Sequence, residues 1–281
     1  VIALGAAYDW DAVPGAKDAY SFYDFDYARH LRRRLSRLKR GKIVLAASKP
    51  PDKCPPAPLE TAMIINWWAR KKGIRKDLDI SVYIPEPGPL GVAGKEASMG
   101  VRAALDQRGI ELVTGAGVTE VSANGREASF ADGSSTTADI IATVPVHKMP
   151  DIVAASGVSN GKPWVPVNKT NLETATSNVF AIGDVNVVPS GDFAIPKAGV
   201  FAAGQGTKVG EVIASRINES DEPEPYDGIG FCYMAYSGGR SATVGGEFLA
   251  EGGPQTILTD PTVSGMKSKD RFERDWRSFK I

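Results

Sequence analysis

The chain has 281 residues, with 33 Lys and Arg against 33 Asp and Glu, so its formal net charge is zero. This balance argues against a nucleic-acid partner, because gripping a phosphate backbone usually needs a broad basic surface. Two cysteines cannot build a disulfide framework or a four-cysteine zinc or iron–sulfur centre, and we predict no metal site. No apolar run reaches the ~20 residues of a membrane-spanning helix, and the length suits roughly two globular domains.

The first residues are apolar and carry no initiator Met and no signal-peptide pattern. Residues 1–4 (VIAL) are typical of a buried strand that runs into a turn at Gly5. A chain rarely begins inside a core. We therefore expect a fragment whose true N-terminus lies upstream.

Helix and strand patterns alternate through the first half of the chain. The predicted elements are a helix at 24–40 stopped by Gly41, strand 42–47, helix 59–72, strand 80–84, helix 98–107, and strands 110–113, 118–121, 127–131 and 139–144. Asp132-Gly133 is a hairpin turn signal. Strand–helix–strand units of this kind build parallel sheets, so we predict an α/β, Rossmann-like fold.

The second half of the chain has fewer regular patterns. A strand at 178–182 ends in Gly183-Asp184, a long helix follows at 200–217, and residues 219–224 form an acidic linker. Residues 267–281 are predicted to be an amphipathic helix with Phe272, Trp276 and Phe279 on one side. Such a tail either lies on a membrane surface or packs against the protein's own core or a partner.

The loop after strand 42–47 is where a Rossmann unit places its phosphate-binding glycines. Here residues 49–60 read KPPDKCPPAPLE, with five prolines and no GxGxxG. Proline has no N–H to offer a phosphate, so this loop cannot form a nucleotide site of the usual kind. Glu86 is a weak candidate for a ribose ligand, and Gly115-Ala116-Gly117 leads into a strand and is interpreted as a turn.

The loop instead carries Cys54 just before a helix N-terminus, where the helix dipole and Lys53 would favour the thiolate. A lone cysteine is also often just a small buried apolar side chain. Cys232, in the Gly- and aromatic-rich stretch GFCY, lies far along the chain. The spacing is compatible with a structural disulfide, a redox disulfide or two unrelated thiols.

Several segments together resemble a known flavoprotein family. They are residues 2–6 (IALGA), 54–60 (CPPAPLE), 178–184 (NVFAIGD), 195–202 (IPKAGVFA), and 230–233 (GFCY) followed by Gly238-Gly239. The ordered set resembles flavocytochrome c sulfide dehydrogenase and the related sulfide:quinone oxidoreductases. These belong to the FAD-dependent pyridine nucleotide-disulfide oxidoreductases with two dinucleotide domains. The resemblance runs through essentially the whole chain.

The resemblance implies FAD as cofactor and sulfide as substrate. The residues it implies at the FAD are Gly5, Gly183, Asp184, Pro196, Lys197 and Ala198, with Asp184 on the ribityl chain and Lys197 near the reduced flavin. It also implies that Cys54 and Cys232 form a redox disulfide beside the flavin, which sulfide attacks. Glu60 either moves a proton during that attack or merely complements the helix dipole. Electrons would leave to a quinone or to a cytochrome c.

The resemblance also divides the chain. The predicted parts are 1–40, a remnant of the FAD domain; 41–150, a second Rossmann-like domain; 151–218, the returning FAD-domain segment; and 219–281, the region of the second redox cysteine and the tail. The FAD pyrophosphate loop is absent, so we expect the full-length parent to bind FAD and this fragment to be inactive alone. Some sulfide:quinone oxidoreductases have a further cysteine between the opening strand and the Cys54 motif, and none lies between Val1 and Lys53 here, which favours a two-cysteine mechanism.

Other functions remain open at the level of sequence. A type II NADH:quinone oxidoreductase shares the scaffold but needs glycines where this chain has the Cys54 loop. A non-catalytic protein could use the two cysteines as a structural crosslink. His147 lies either near an acceptor pocket or in a solvated or core position. The family resemblance favours a periplasmic or peripheral membrane location, with the tail as a possible membrane contact.

Overall fold

The computed structural model describes residues 1–278, apart from the side chains of Ser237 and Trp276. In chain order the helices are α1 (Phe25–Arg37), α2 (Ala57–Lys71), α3 (Gly94–Asp106), α4 (Asp151–Ala155), α5 (Gly199–Ile217) and α6 (Val263–Ser278). The strands are β1 (Ala7–Asp9), β2 (Gly41–Ala47), β3 (Leu78–Ile84), β4 (Ile110–Thr114), β5 (Val118–Val121), β6 (Glu127–Phe130), β7 (Ser135–Thr137), β8 (Ile140–Val144), β9 (Val146–Lys148), β10 (Val165–Pro166), β11 (Asn186–Val187), β12 (Pro189–Ser190), β13 (Phe193–Ala194), β14 (Ile229–Ser237), β15 (Arg240–Glu247) and β16 (Gln255–Leu258).

A four-stranded parallel sheet in the order β4-β3-β2-β8 forms the centre of the fold, and the predicted α/β, Rossmann-like architecture is confirmed. Strand β2 is apolar on both faces because helices and the β5–β6–β7 meander cover the sheet. Ile43 and Leu45 of β2 pack with Leu59 and Met63 of α2 in the largest core cluster. The loop between β2 and α2 therefore lies at the carboxyl edge of the sheet, where open α/β folds bind ligands.

A second sheet, β14-β15-β16, is antiparallel and follows the long helix α5. Strand β14 packs against α2, and α6 packs against β14 and β15. The predicted tail helix is thus confirmed as a helix that begins earlier, and the described part of it packs on the protein itself. Phe279 lies outside the described residues. None of the helices within residues 1–278 is long and apolar enough to cross a bilayer.

Three expectations about local structure were wrong. Val1 and Leu4 are exposed, and only Ile2 of the opening segment forms a bridge, with Ala181. Residues 178–182 form isolated bridges rather than a strand, because their hydrogen-bonded neighbours are single residues of the opening segment and of the 172–174 turn. Helix α1 ends at Arg37 instead of running to Gly41, which begins β2 with a φ of +131°.

Candidate functional site

Five of the six residues predicted to contact a flavin line one pocket. Gly183, Asp184, Pro196, Lys197 and Ala198 surround it, together with Asn186 and Gln205; we call this the 183–205 pocket. Gly5 is not among its lining residues, although its φ of +67° and the open space around it fit the predicted glycine turn. The pocket forms where the Gly183-Asp184 turn meets the N-terminus of α5.

The N-terminus of α5 opens into this pocket without a side-chain cap. Ala198 is the extended N-cap residue and has no side chain that could accept from the first N–H groups of the helix. A helix of this length carries partial positive charge at its start, which suits a negatively charged or electron-rich group. Gly183 adopts φ +74°, and a Cβ there would press on Ala202 of α5, so glycine is needed for the close approach.

Lys197 lies deeper than the sequence suggests. Its Nζ donates to the carbonyl oxygens of Asp184 at 2.6 Å and Asn186 at 2.9 Å, and it sits 3.6 Å from the centre of the Trp164 ring. Burial lowers the pKa of Lys197 to about 8, partly opposed by the charge of Asp184. Burial likewise raises the pKa of Asp184. The ammonium therefore braces the turn that carries Asp184 as well as adding positive charge to the pocket.

Gln205 is a pocket residue that sequence reasoning missed. Its side chain is 3% exposed, and Oε1 accepts from the backbone N–H of Gly183 at 2.6 Å and from Asn186 Nδ2 at 2.9 Å. Asn186 Nδ2 also donates to the carbonyl of Ala181. A glutamine on the apolar side of the predicted 200–217 helix is the signal that marks such a buried polar network.

The first cysteine lies directly beside this pocket. Cys54 has a left-handed backbone, φ +54°, and its N–H donates to the carbonyl of Lys197 at 2.8 Å. Lys53 and Lys197 form an isolated parallel bridge at the same point. Backbone pairing therefore holds the Pro-rich loop beside the start of α5. The two segments are far apart in the chain.

The second cysteine approaches the first through the packing of β14 on α2. Cys232 lies on β14 opposite Val244, and the two thiols are close enough for their charges to interact. Both cysteines are free thiols in the structure. Glu60 of α2 and Lys269 of α6 form an ion pair, and the charges of both act on both thiols. We call Cys54, Cys232, Glu60 and Lys269 the thiol cleft.

The predicted activation of Cys54 is contradicted. Although its side chain is open to solvent, the surrounding protein displaces enough water to raise the pKa of Cys54 to about 12, with further contributions from the charges of Cys232 and Glu60. Desolvation raises the pKa of Cys232 to about 11. The cation that lowers both pKa values is Lys269, because the Lys53 ammonium lies over the Tyr8 ring instead.

His147 is a core residue rather than a solvated one. It is 6% exposed and packs edge-on against Tyr8 and Tyr23, and its Nδ1 lies 2.9 Å from the carbonyl of Pro145. Burial lowers the pKa of His147 to about 4, so the ring is neutral at pH 7. Its Nε2 has no partner among the described residues.

The two weaker nucleotide candidates do not join the pocket. Gly115 follows β4 and its N–H donates to the carbonyl of Glu86, so both residues belong to a turn at the edge of the sheet. The α2 N-terminus has Pro56 as its N-cap and a second proline in its first turn. The two prolines confirm that the loop between β2 and α2 lacks the N–H groups that would bind a phosphate.

The parallel sheet, with the Cys54 loop at its carboxyl edge and the 183–205 pocket beside that loop, has the architecture of a dinucleotide-binding domain. Residues 59–207 match the model of the family described as pyridine nucleotide-disulphide oxidoreductase, which is more than half of the chain. The chain belongs to this family.

Curated relatives point to one branch of the family. The chain is 24% identical over 203 residues to the mitochondrial sulfide:quinone oxidoreductase of Mus musculus, covering 68% of this chain and 45% of that protein. It is 25% identical over 205 residues to the corresponding protein of Schizosaccharomyces pombe, covering 68% and 44%. The chain thus spans less than half the length of these relatives.

Solved structures share the fold. The sulfide:quinone oxidoreductase of Aquifex aeolicus superposes with a TM-score of 0.81 at 19% identity, covering 97% of this chain and 66% of that one. A NAD-dependent persulfide reductase from A. fulgidus gives a TM-score of 0.60 at 17% identity, covering 87% and 43%. At these identities the likeness shows the common architecture.

Proposed function

We propose that the chain is part of an FAD-dependent oxidoreductase that oxidises sulfide and passes the electrons to a quinone. The observation that carries this proposal is the hydrogen bond from Cys54 N–H to the carbonyl of Lys197, which attaches the thiol cleft to the 183–205 pocket. A thiol pair beside a flavin pocket is the arrangement that two-electron sulfur chemistry requires. The curated relatives, both sulfide:quinone oxidoreductases, supply the sulfur donor and the acceptor class.

The residues of the 183–205 pocket fit a flavin. The Asp184 carboxylate is half-buried at the turn and can accept hydrogen bonds from hydroxyl groups of the cofactor. The uncapped start of α5 and the Lys197 ammonium supply positive charge for the electron-rich reduced ring. When bound, the flavin accepts the two electrons that are released when the cysteines form a disulfide.

The cysteines carry the sulfur chemistry. Sulfide attacks one sulfur of a Cys54–Cys232 disulfide, the S–S bond breaks, and a persulfide forms on one cysteine while the other leaves as thiolate. The persulfide then passes its outer sulfur to a second nucleophile, such as another sulfide ion. Re-formation of the disulfide from the two thiolates releases two electrons. Glu60, whose charge acts on both thiols, takes the proton of the incoming sulfide in this proposal.

A type II NADH:quinone oxidoreductase is a less suitable assignment. Such an enzyme binds a dinucleotide at the turn after β2, and here Pro56 and Pro58 remove N–H donors from the start of α2. The same turn holds Cys54 against the flavin pocket. The Cys54 loop therefore lies where such an enzyme would be expected to bind its nicotinamide dinucleotide.

The test uses the full-length, flavin-loaded parent protein and follows flavin absorbance after sulfide is added. We expect the wild type to bleach and the variants Cys54→Ser and Cys232→Ser to remain oxidised, because neither can form the disulfide. Dithionite must bleach all three proteins, which shows that the variants still hold a reducible flavin. Bleaching of both variants by sulfide at the wild-type rate, or bleaching of the wild type by NADH alone, would overturn the proposal.

A further inference from the structure

Lys269 joins three elements around the two thiols. It lies on α6, its Nζ forms an ion pair with the Glu60 carboxylate of α2, and it lies 3.4 Å from the carbonyl of Tyr233 on β14. Tyr233 is the residue after Cys232. The Lys269 and Glu60 side chains are 33% and 14% exposed, so the pair is shielded more than an ordinary surface ion pair.

The charges that face the thiols come from several elements. Glu60 raises the pKa of both thiols, and Asp52 of the Pro-rich loop adds to this effect at Cys54. Tyr23, buried behind the same loop, donates hydrogen bonds to Asp52 and to the carbonyl of Lys53 and stays neutral because its pKa is raised. The one positive charge acting on both thiols, among the described residues, is that of Lys269.

We propose that Lys269 controls the reactivity of the thiol cleft: while it is paired with Glu60 and lies against the carbonyl of Tyr233, its ammonium directly stabilises negative charge on Cys54 and Cys232. The inference rests on the proposed function, since thiolates are needed only if the cysteines act chemically. Two thiolates beside Glu60 would otherwise place three negative charges in one partly desolvated cleft. The tail helix α6 thus supplies the balancing charge, which makes the reactivity of the thiols depend on the docking of the tail.

The inference is tested by thiol titration, which needs no turnover. The full chain is reduced and the rate of iodoacetamide alkylation is followed against pH, with Cys54 assigned in Cys232→Ser and Cys232 assigned in Cys54→Ser. Lys269→Met should slow alkylation of each cysteine at a fixed pH below its pKa by on the order of tenfold, because one pKa unit changes the thiolate fraction tenfold. Lys269→Arg should restore most of the rate.

Two matched variants separate direct from indirect action. Lys267→Met, an exposed lysine on the same helix, should leave both alkylation profiles unchanged. Glu60→Gln should speed alkylation, because it removes a negative charge. If Lys269 acts on the thiols directly, adding Lys269→Met to Glu60→Gln should slow alkylation again. If it acts only by holding Glu60, the double variant should match Glu60→Gln.

The inference fails if Lys269→Met leaves both profiles unchanged, if Lys267→Met shifts them equally, or if the double variant matches Glu60→Gln. Circular dichroism and limited proteolysis of α6 must show that the Lys269→Met tail stays docked, and Lys269→Gln serves as a second neutral variant. Shifted titrations without sulfide-dependent bleaching would overturn the proposed function while leaving the electrostatic role of Lys269 standing.

Discussion

The 183–205 pocket and the thiol cleft touch at the Cys54–Lys197 hydrogen bond but are built in different ways. The pocket comes from one continuous stretch, and its polar groups are satisfied inside the protein by Lys197, Asn186 and Gln205. The cleft comes from the Pro-rich loop that carries Cys54, from α2, from β14 and from α6, and its charged groups belong to different elements.

This difference indicates that the pocket is a rigid frame, whereas the cleft depends on packing. A buried network with every member hydrogen-bonded is costly to distort, because any change orphans a polar group. The charges of the cleft can change with the redox state of the thiols and with the position of α6. Rigidity at the 183–205 pocket and adjustable charge at the sulfur atoms suit the proposed function, in which one reactant is held while another changes its charge.

The largest stability change is expected in the 183–205 pocket. Gln205→Leu removes the acceptor for Gly183 N–H and for one N–H of Asn186 Nδ2, whose other N–H keeps the carbonyl of Ala181, and the two unpaired N–H groups should lower the free energy of unfolding by about 2–4 kcal/mol. Urea unfolding measures the loss. Gln205→Glu keeps the acceptor and should lose less, and Gln107→Leu on the exposed end of α3 should change stability little. Equal losses in the pocket variant and the exposed control would mean that the frame is not rigid.

The opposite effect on stability is expected at Asp52, next to the thiol cleft, where a substitution should raise the free energy of unfolding. Burial, together with the charge of Glu86, raises the pKa of Asp52 to about 7, above its usual 3.8. The folded state therefore holds a proton that the unfolded state has lost between these values, so Asp52 costs stability as pH rises through about 7. Asp52→Asn should be more stable than wild type at pH 8, by on the order of 3 kcal/mol.

The advantage of Asp52→Asn should shrink as pH falls and vanish below about pH 3, where the carboxyl is protonated in both the folded and the unfolded state. Urea unfolding at about pH 3, 6 and 8 measures this trend. Asp77→Asn, an exposed change of the same chemistry, is the control and should show no such pH dependence. An Asp52→Asn advantage that does not vary with pH would show that the loop beside Cys54 holds an ionised carboxylate.

The smallest effect is expected where Arg216 of α5 holds the turn before the pocket. Arg216 donates to both carboxylate oxygens of Glu173, at 2.7 and 2.8 Å, and the ion pair lowers the pKa of Glu173 from 4.5 to about 2. This pair stabilises the fold above about pH 4.5, and the stabilisation is lost as pH falls toward 2. Glu173→Gln should lower the urea midpoint slightly at pH 7 and match the wild type near pH 2. A midpoint difference that persists at low pH would contradict this linkage.

Much of the fold was predictable from local patterns. The strands of the central sheet lie close to their expected positions because their apolar runs are bounded by glycine and proline. These strands also pair with one another within a single sheet. Residues 178–182 have an equally apolar pattern but form only bridges, since pairing there depends on single residues from distant segments. The predicted division into 1–40, 41–150, 151–218 and 219–281 stays a prediction, as do the roles of the flavin-contacting residues.

The residues of the candidate site also divide into those that local sequence could predict and those that it could not. Gly183, Asp184 and the segment 196–198 could be found because short motifs carry their backbone geometry with them. Gln205 and Lys269 were missed because nothing in their local sequence shows what they face. The protonation of Cys54 was predicted in the wrong direction for the same reason: a helix N-terminus is a local feature, but desolvation depends on every atom packed around the thiol.

The amino-acid sequence by itself determined the α/β architecture, the Pro-rich loop that excludes a phosphate cradle, and the glycine turn that opens the 183–205 pocket. These follow from hydrophobic periodicity and from the restricted backbone of proline and glycine, which act over a few residues. Only the tertiary structure decided that Cys54 lies beside Lys197, that the charge of Cys232 acts on Cys54, and that Lys269 pairs with Glu60 while acting on both thiols. The burial of a side chain and the charges that act on it depend on all the atoms around it, and only the folded chain defines which atoms those are.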